Sequence, residues 1–191
     1  MKSNRRKKCS KYFMTFLAAL ALVTGLLIPA QIKAADSYDA DRKGSITINL
    51  DDVKLDNTVT NKAGVSVNVY QVASVGRDGV NLSFAIAGTL ASTGVDVNDI
   101  TTSDKNLNAA KKLSAAIGKS GISATTKKTD SNGKVSFTDL AQGMYLVEEQ
   151  DGASYGTFSP FLVAIPYMED GENWIYDVVT YTKGVSNKQG S

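Results

Sequence analysis

The chain has 191 residues, with 21 basic and 19 acidic side chains and no histidine. Without histidine there is no Ser-His-Asp or Cys-His catalysis, no histidine zinc ligand and no histidine general base. The length suits one ordinary domain plus a targeting segment.

The first 35 residues have the pattern of a secretory signal peptide. They hold seven Lys or Arg and no acid, then a long apolar run that ends at Pro29, then small residues. A basic start, an apolar stretch and a small-residue exit are typical of segments that are cleaved during secretion. We predict a signal peptide over 1–34 with cleavage after Ala34. Because the apolar run is long, a retained membrane anchor is the alternative.

Removal of this segment reverses the sign of the net charge. The mature part holds 14 basic and 19 acidic residues. A mildly acidic domain without a basic cluster in its sequence argues against nucleic-acid binding. The single cysteine, Cys9, precedes the apolar run, so we expect neither a lipid anchor nor a disulfide in the mature chain.

The first half of the mature chain alternates between apolar and polar residues, as strands do. Alternation over 45–50 predicts a half-buried first strand. Alternation over 65–72 and 82–86 predicts a hairpin, because Asp78-Gly79 between them tolerates the positive φ of such turns.

One segment then changes to the helical period. Leu107, Ala110, Leu113 and Ile117 recur at helical spacing, which predicts one helix over about 104–118. Two kinds of boundary residue flank it. The predicted N-cap is Ser103, and the predicted stop is Gly118 or Gly121.

After the helix the strand period returns and holds to the end. The predicted elements are a turn at 130–133, strands over 135–138, 143–149 and 161–165, an acidic turn at 169–172, and a last strand over 174–183. The strand over 161–165 is apolar on both faces and should be covered on both. Seven or so short strands predict a mainly β fold, an immunoglobulin-like β-sandwich with one inserted helix.

We place a flexible lead over 35–43, the sandwich domain over 44–183 and a flexible tail over 184–191. Within the domain, Glu149 shares a strand face with Tyr145. An inward carboxylate is costly unless it is paired or protonated, so either it has a partner or the position is an edge that reaches water. A terminal lysine such as Lys183 is by itself a solvated charge.

Together these stretches resemble a known family. The segment 129–149 is similar to the collagen-adhesin B-type and pilin domains of Gram-positive surface proteins. The segments 160–166 and 174–178 resemble the N-terminal domain of sortase-assembled pilin subunits. The resemblance covers roughly 44–183.

In that family, a sortase cleaves a Leu-Pro-x-Thr-Gly signal on one subunit, and a lysine of the next subunit attacks the resulting thioester. The resemblance assigns roles to seven residues. They are Lys183 as the acceptor of the intermolecular isopeptide bond, Trp174, Val178 and Tyr181 as the rest of the pilin motif, and Gly143, Tyr145 and Glu149 as the glutamate box.

The chain departs from the family pattern in three ways. Thr180 and Thr182 stand where the family has valine and proline. No Leu-Pro-x-Thr-Gly signal is present. Leu50 stands where the lysine of an internal isopeptide bond would lie, so we expect no internal bond.

The expected function is therefore structural and not enzymatic. We expect a secreted, cell-surface pilus subunit whose partners are other pilin subunits, a sortase and possibly a host surface ligand, with no cofactor or metal. The alternatives are a stand-alone secreted adhesin-like module that binds host glycan or matrix protein, and a truncated pilin that lacks its C-terminal domains and sorting signal. A carboxylate-based hydrolase is weakest, since no acidic pair stands out.

Overall fold

The computed structural model describes residues 37–52, 54–55, 58–59, 61–78, 81–150, 157–169, 171, 173–182 and 184–185. The predicted signal peptide over 1–34 and its cleavage residue Ala34 lie outside the described residues. The strands are β1 Gly44–Leu50, β2 Lys54–Leu55, β3 Thr58–Val59, β4 Ser66–Asp78, β5 Asn81–Ile86, β6 Thr125–Lys128, β7 Lys134–Leu140, β8 Gly143–Glu149, β9 Thr157–Phe158, β10 Phe161–Ile165, β11 Tyr167–Glu169, β12 Asn173–Ile175, β13 Asp177–Thr182 and β14 Gly184–Val185. The helical segments are a 3₁₀ helix at Gly88–Thr93 and α1 at Ser103–Ile117.

Two sheets face each other. One has the order β13-β1-β7, in which β13 runs parallel and β7 antiparallel to β1. The other has the order β10-β8-β4, and both β5 and β6 pair with the second edge of β4. This is possible because β4 is 13 residues long, so β6 takes its first part and β5 its second. The predicted mainly β sandwich with one inserted helix is confirmed.

The principal core lies between the two sheets. The alternation that predicted the first strand is confirmed, since Ile46, Ile48 and Leu50 of β1 are all buried. Both sheets supply most of the remaining buried side chains of this core, with Val65 just before β4 and Phe158 of β9 added to them. These are Val65, Val67, Val69, Val135, Phe137, Tyr145, Val147, Phe158, Val163, Ile165 and Val178.

A second core lies on the other face of the five-stranded sheet, beneath α1. The helix buries Ala110, Leu113 and Ile117 against this sheet. The sheet is therefore covered on both faces. This explains why neighbouring residues of β10, Leu162 and Val163, are both buried, as the sequence predicted for this strand.

The ends of α1 differ slightly from the prediction. The N-cap is Thr102, not Ser103, because the Thr102 hydroxyl accepts a hydrogen bond from the amide of Lys105 at 3.2 Å. The helix ends at Ile117, and Gly118 keeps a right-handed conformation. The left-handed turn comes three residues later, at Gly121 with φ +75°.

Two predicted strands have different bounds. The strand predicted over 65–72 continues as β4 to Asp78, because β5 pairs with its second half. The single strand predicted over 174–183 is wrong. It is divided at Tyr176, since β12 pairs with β11 while β13 pairs with β1.

Residues just before β1 are attached to the domain. The side-chain amide of Gln142 donates hydrogen bonds to the carbonyls of Asp39 at 2.7 Å and Arg42 at 2.9 Å. The Tyr38 ring packs edge-on against Trp174 with centroids 5.3 Å apart. At the other end of the chain, β14 pairs with β9. Contacts of the domain therefore extend on both sides of the predicted bounds 44–183.

Among the described residues, no helix is long and apolar enough to cross a membrane. Nor does this part of the chain bring together three or more His, Cys, Asp or Glu side chains as a metal site would require.

The start of β1 requires a glycine. A Cβ on Gly44 would lie 2.2 Å from the Tyr176 carbonyl oxygen and 2.6 Å from Cγ2 of Ile165. We expect Gly44→Ala to lower the free energy of unfolding by about 1–3 kcal/mol, the usual cost of forced overpacking. Denaturant unfolding measures this.

Gly118→Ala is the matched control, because its Cβ would meet no atom within 4 Å and its φ is −61°. We expect that variant to be as stable as the parent chain or slightly more so. Equal stability of the Gly44→Ala and Gly118→Ala variants would contradict the proposed crowding at Gly44.

Candidate functional site

Several strands end together at one end of the sandwich. Leu50 at the end of β1 pairs with Thr182 at the end of β13, and Gly184 of β14 pairs with Phe158 of β9. We call this end, formed by Leu50, Glu149, Phe158 and Thr182, the β13 end. The predicted acceptor Lys183 lies outside the described residues. Its two chain neighbours, Thr182 and Gly184, belong to this end.

A groove lies between β13 and the β9–β10 segment. Its volume is about 250 Å³. The rings of Phe158 and Phe161 lie against each other with centroids 6.1 Å apart, and 73% of Tyr181 is exposed. The described residues that line the groove are Phe158, Ser159, Phe161, Thr180, Tyr181 and Thr182. Half of the described lining residues are therefore aromatic, and Thr182 among them directly precedes Lys183 in the sequence.

Sheet edges elsewhere in the sandwich are covered by side chains. Asn98 donates to the Phe84 carbonyl at 2.9 Å and accepts from the Phe84 amide at 2.7 Å, which covers the edge of β5. Asn106 of α1 makes the same pair of bonds with Leu162, at 2.9 and 2.8 Å, which covers the edge of β10. In both cases one side-chain amide takes the place of a neighbouring strand.

A lysine covers the third edge, where β6 and β7 meet. Lys127 donates to the carbonyl of Ser136 at 2.9 Å and lies 5.5 Å from the centroid of the Phe137 ring. By contrast, the described strand neighbour of β13 is β1. The side-chain bonds to the backbone of the Thr180 region also come from β1, through Asn49. Within the described residues, β13 is thus the edge of the two main sheets without such a cover.

Glu149 of the predicted glutamate box is half-buried at the end of β8. Its Oε2 accepts a hydrogen bond from the backbone amide of Phe158 at 3.2 Å. The carboxylate therefore ties the end of β8 to the segment that forms one wall of the groove. The inward-facing Glu149 therefore has a hydrogen-bond partner. This is one of the two situations expected for it, the other being an edge position that reaches water.

Leu50 occupies the end of β1 with only 3% of its surface exposed. It lies directly across from Thr182, whose hydroxyl is buried without a hydrogen bond from the described residues. Proline, which the resembled family has at position 182, would bury no such hydroxyl. Neither Leu50 nor Thr182 has the amine, carboxamide or carboxyl group that an internal isopeptide bond needs.

Tyr145 has a structural role. Its hydroxyl donates to the carbonyl of Ala141, four residues earlier, at 2.6 Å. This matches the tyrosine corner of immunoglobulin-like sandwiches, in which a tyrosine near the start of a strand bonds back to the preceding corner. Burial raises the pKa of Tyr145 to about 12. Gly143, two residues earlier, has no room for a side chain, since a Cβ would lie 2.4 Å from the Ala73 carbonyl oxygen.

The three remaining motif residues are dispersed along the fold. Val178 is a core residue between the sheets. Trp174 lies at the opposite end of the sandwich from the β13 end, where it packs on Tyr38. Tyr181 is exposed at the groove. Of the predicted site residues that the structure describes, Tyr181 and Glu149 lie at the β13 end.

Sequence reasoning missed the aromatic wall of the groove. Phe161 was read as part of an alternating strand, which is correct but does not show that its ring borders a groove. Phe158 lies in a two-residue strand without a periodic pattern. The sequence shows that Phe158 and Phe161 lie within two residues of Pro160. That proximity does not identify β13 as the opposite wall of the groove.

The model of the Gram-positive pilin subunit D1, N-terminal domain, matches residues 38–185. The chain belongs to this pilin family. The predicted family membership is thereby confirmed. No curated protein sequence matches the chain.

Solved pilin structures are similar to this pilin domain. Full-length SpaD of Corynebacterium diphtheriae is 26% identical over 77% of this chain and 31% of its own length, with a TM-score of 0.45. The T6 backbone pilin of Streptococcus pyogenes is 20% identical over 78% of this chain and 30% of its own length, with a TM-score of 0.48. The SpaA pilin–signal peptide complex of C. diphtheriae is 23% identical over 76% of this chain and 99% of its own length, with a TM-score of 0.42. The chain spans about a third of the length of SpaD and of the T6 pilin.

The tyrosine corner leads to a prediction on stability and pH. Tyr145→Phe removes a buried hydrogen bond and should lower the free energy of unfolding by about 1 kcal/mol near neutral pH. The Tyr145 pKa of about 12 in the folded chain lies above the usual value of 10.0. The contribution of the protonated Tyr145 hydroxyl to the free energy of unfolding is therefore complete below pH 10 and is lost as pH rises from there towards 12. Denaturant unfolding at a series of pH values measures both effects.

Tyr181→Phe is the control for this experiment, since that side chain is largely exposed. We expect it to match the parent chain near neutral pH. In the Tyr145→Phe variant, the stability loss between pH 10 and 12 should be smaller than in the parent. An identical loss in both chains would show that Tyr145 does not titrate as its burial requires.

Proposed function

We propose that this pilin domain is part of a structural subunit of a Gram-positive cell-surface pilus, and that Lys183 accepts an intermolecular isopeptide bond made by a sortase. The chain would be secreted by means of the signal peptide over 1–34 and displayed at the cell surface. Its partners would be other pilin subunits and the sortase. Its role is structural rather than enzymatic.

The observation that carries the proposal is the edge of β13, which no strand or side-chain amide covers within the described residues, beside the groove that Phe158, Phe161 and Tyr181 line. An extended donor segment can pair with an uncovered strand edge through its backbone, while alternate side chains enter a neighbouring groove. The other edges of the two main sheets carry the Asn98, Asn106 and Lys127 covers within the described residues. An incoming strand that pairs with β13 would end near the position that Lys183 occupies in the sequence.

The chemistry at Lys183 is aminolysis of a thioester. The neutral amine of Lys183 attacks the donor threonine carbonyl held on the sortase cysteine. The C–N amide bond forms, the C–S bond breaks, the cysteine leaves as thiolate, and the proton lost by the amine neutralises it. Because a lysine amine is normally protonated, a base supplied by the sortase or by a local carboxylate must remove one proton first.

A stand-alone secreted binding module is the second candidate. Val179 and Tyr181 on the outer face of β13 are 57% and 73% exposed. Exposed apolar side chains next to each other suit a binding surface for a host glycan or matrix protein. That reading needs no covalent product, so the crosslinking experiment separates the two.

The acceptor role predicts a crosslinked product that depends on one lysine. Incubation of the chain with a sortase and a donor bearing Leu-Pro-x-Thr-Gly should yield one new covalent band. Lys183→Ala should abolish it, because the substitution removes the amine that attacks the thioester. Gel electrophoresis and peptide mass spectrometry of the product measure this.

Lys134→Ala is the matched control, since Lys134 is an exposed lysine on β7 that pairs with Asn49 near the end of β1. It should leave the yield unchanged. Tyr181→Ser should lower the yield without affecting the fold, because it removes an aromatic side of the groove. A product of undiminished yield from Lys183→Ala would sink the assignment of the acceptor.

The positions of Leu50 and Thr182 predict that no internal isopeptide bond forms. The intact mass of the mature chain should equal the mass from its sequence. A Lys–Asn bond would remove about 17 Da and a Lys–Asp bond about 18 Da, the masses of the ammonia or water expelled by lysine attack. Either deficit, retained after denaturation, would overturn this expectation.

A further inference from the structure

The turn between β6 and β7 contains the one Asn-Gly pair of the sequence. Asn132 is followed by Gly133, and every other asparagine of the chain precedes a larger residue. An Asn-Gly pair loses its side-chain amide readily, because glycine has no Cβ to hinder the approach of its nitrogen to the asparagine side chain. Asn132 is exposed, whereas Gly133 is buried. The fate of the Asn132 amide therefore depends on what holds the Gly133 nitrogen.

The Asp130 carboxylate organises this turn. Its Oδ1 accepts hydrogen bonds from the backbone amides of Asn132 at 2.8 Å and Lys134 at 2.9 Å. Aspartate at the first position of a turn commonly bonds to the amides that follow it. The hydrogen bond from the Lys134 amide is the main cause that lowers the pKa of Asp130, so the carboxylate stays ionised near neutral pH. We call residues 130–133 the Asp130 turn.

Both polar groups of the Gly133 backbone are engaged. Its amide donates to the Asp130 carbonyl at 3.0 Å, and its carbonyl accepts from the Leu50 amide at 2.9 Å. The stem of Lys62 lies over the same residue, since a Cβ on Gly133 would meet Cδ of Lys62 at 2.6 Å. Lys62 is held there by a 2.8 Å ion pair with Asp52. The Gly133 nitrogen is thus hydrogen-bonded and covered.

Loss of the Asn132 amide needs that nitrogen as its nucleophile. The nitrogen gives its proton to hydroxide and attacks Cγ of Asn132, so that a new N–Cγ bond closes a succinimide ring. The Cγ–Nδ2 bond breaks, and ammonia leaves with a proton taken from water. Water then opens the ring at either carbonyl to give aspartate or isoaspartate. Overall one water is consumed and one ammonia is released.

The closed turn opposes this reaction in two ways. An amide hydrogen that is bonded to a carbonyl is not available to hydroxide until the bond opens. The backbone of Asn132 is also held in the wrong conformation. Neither Ser131 nor Asn132 has a positive φ, so this hydrogen-bonded turn is of type I, which places ψ of Asn132 near about 0°. Ring closure requires rotation about that bond, and the rotation breaks the bond from Gly133 to Asp130.

We propose that Asn132 is a deamidation site that the Asp130 turn controls. In the folded chain the turn withholds the Gly133 nitrogen, and the reaction proceeds when the turn opens. An exposed turn opens locally more often than the whole domain unfolds, so partly opened chains react as well as unfolded ones. This modification lies beyond the proposed pilus function and does not depend on it.

The isoaspartate product changes the β13 end. It adds one carbon to the backbone between residues 132 and 133, so Gly133 can no longer keep both of its hydrogen bonds in place. One of them is the bond to the Leu50 amide, and Leu50 lies opposite Thr182. A chain that has opened and reacted therefore closes again with an altered end of β1.

The test follows the peptide 129–134, which trypsin releases because Lys128 precedes it and Lys134 ends it. The mature chain is incubated for days at mildly alkaline pH, either folded in buffer or unfolded in guanidinium chloride. Mass spectrometry measures the fraction of the peptide in which the carboxamide of Asn132 has become a carboxyl group. The folded chain should react at least about tenfold more slowly than the unfolded chain.

Two variants test the role of the carboxylate, and each rate is divided by the rate of the same chain when unfolded. Asp130→Ala should raise this ratio about tenfold, because the turn loses both hydrogen bonds to a charged acceptor. Asp130→Asn keeps an acceptor oxygen and should stay close to the parent ratio. The matched control is Asp96→Ala, which removes a similar bond, to the Asn98 amide at 2.9 Å, in a turn elsewhere. It should leave the ratio unchanged.

Equal rates in the folded and unfolded parent chains would overturn the proposal. An Asp130→Ala ratio equal to that of the parent would do the same. Circular dichroism verifies that each variant is folded. Should Asp130→Ala not fold, deuterium exchange of the Gly133 amide in the parent chain decides. Protection of that amide supports the proposal, and exchange at the rate of an unfolded chain contradicts it.

Discussion

The parallel pairing of β1 with β13 determines where Val178 and Tyr181 of the predicted pilin motif lie. It joins the first and last long strands of the domain side by side, with Ser45 opposite Asp177 and Leu50 opposite Thr182. The residues before β1 are consequently held at one end of the sandwich. The residues that flank Lys183 are held at the other. A shift of one residue in this register would turn Val178 outwards and Tyr181 inwards, and would remove the groove.

Burial of the five-stranded sheet on both faces replaces the crosslinks that many secreted domains use. Residues 35–191 contain no cysteine. Instead, the sheet is packed against β1 and β7 on one side and against α1 on the other. A domain of this size can bury enough apolar surface to fold without a disulfide. The side-chain covers on β5 and β10 then protect its edges from unwanted pairing.

Elements with a regular pattern could be predicted from the sequence, and elements set by distant contacts could not. The alternation in β1 and the two-sided apolar run in β10 were read correctly because burial imposes a period of two on each face. The interruption at Tyr176 was missed. Its hydroxyl accepts from the Asp39 amide at 2.7 Å and its carbonyl accepts from the Ser45 amide at 3.0 Å, both far away in sequence.

The candidate site likewise has features that a local sequence pattern predicts and features that depend on distant contacts. Glu149 was singled out because its face was predictable, but its partner, the amide of Phe158, belongs to a segment without a pattern. The groove depends on two strands from different sheets coming close, which no local signal shows. The acceptor role of Lys183 came from the family resemblance alone, and it stays a prediction.

The attachment of the residues before β1 has a consequence for the order of events at the membrane. Tyr38 is held by Trp174 and Gln142, and only residues 35–37 lie between it and the predicted cleavage site. Three residues span at most about 10 Å. With that cleavage site, a domain that folds before its signal peptide is removed would stand on the membrane with the Tyr38 end down. The β13 end would then face away from the bilayer, towards any chain that arrives from outside.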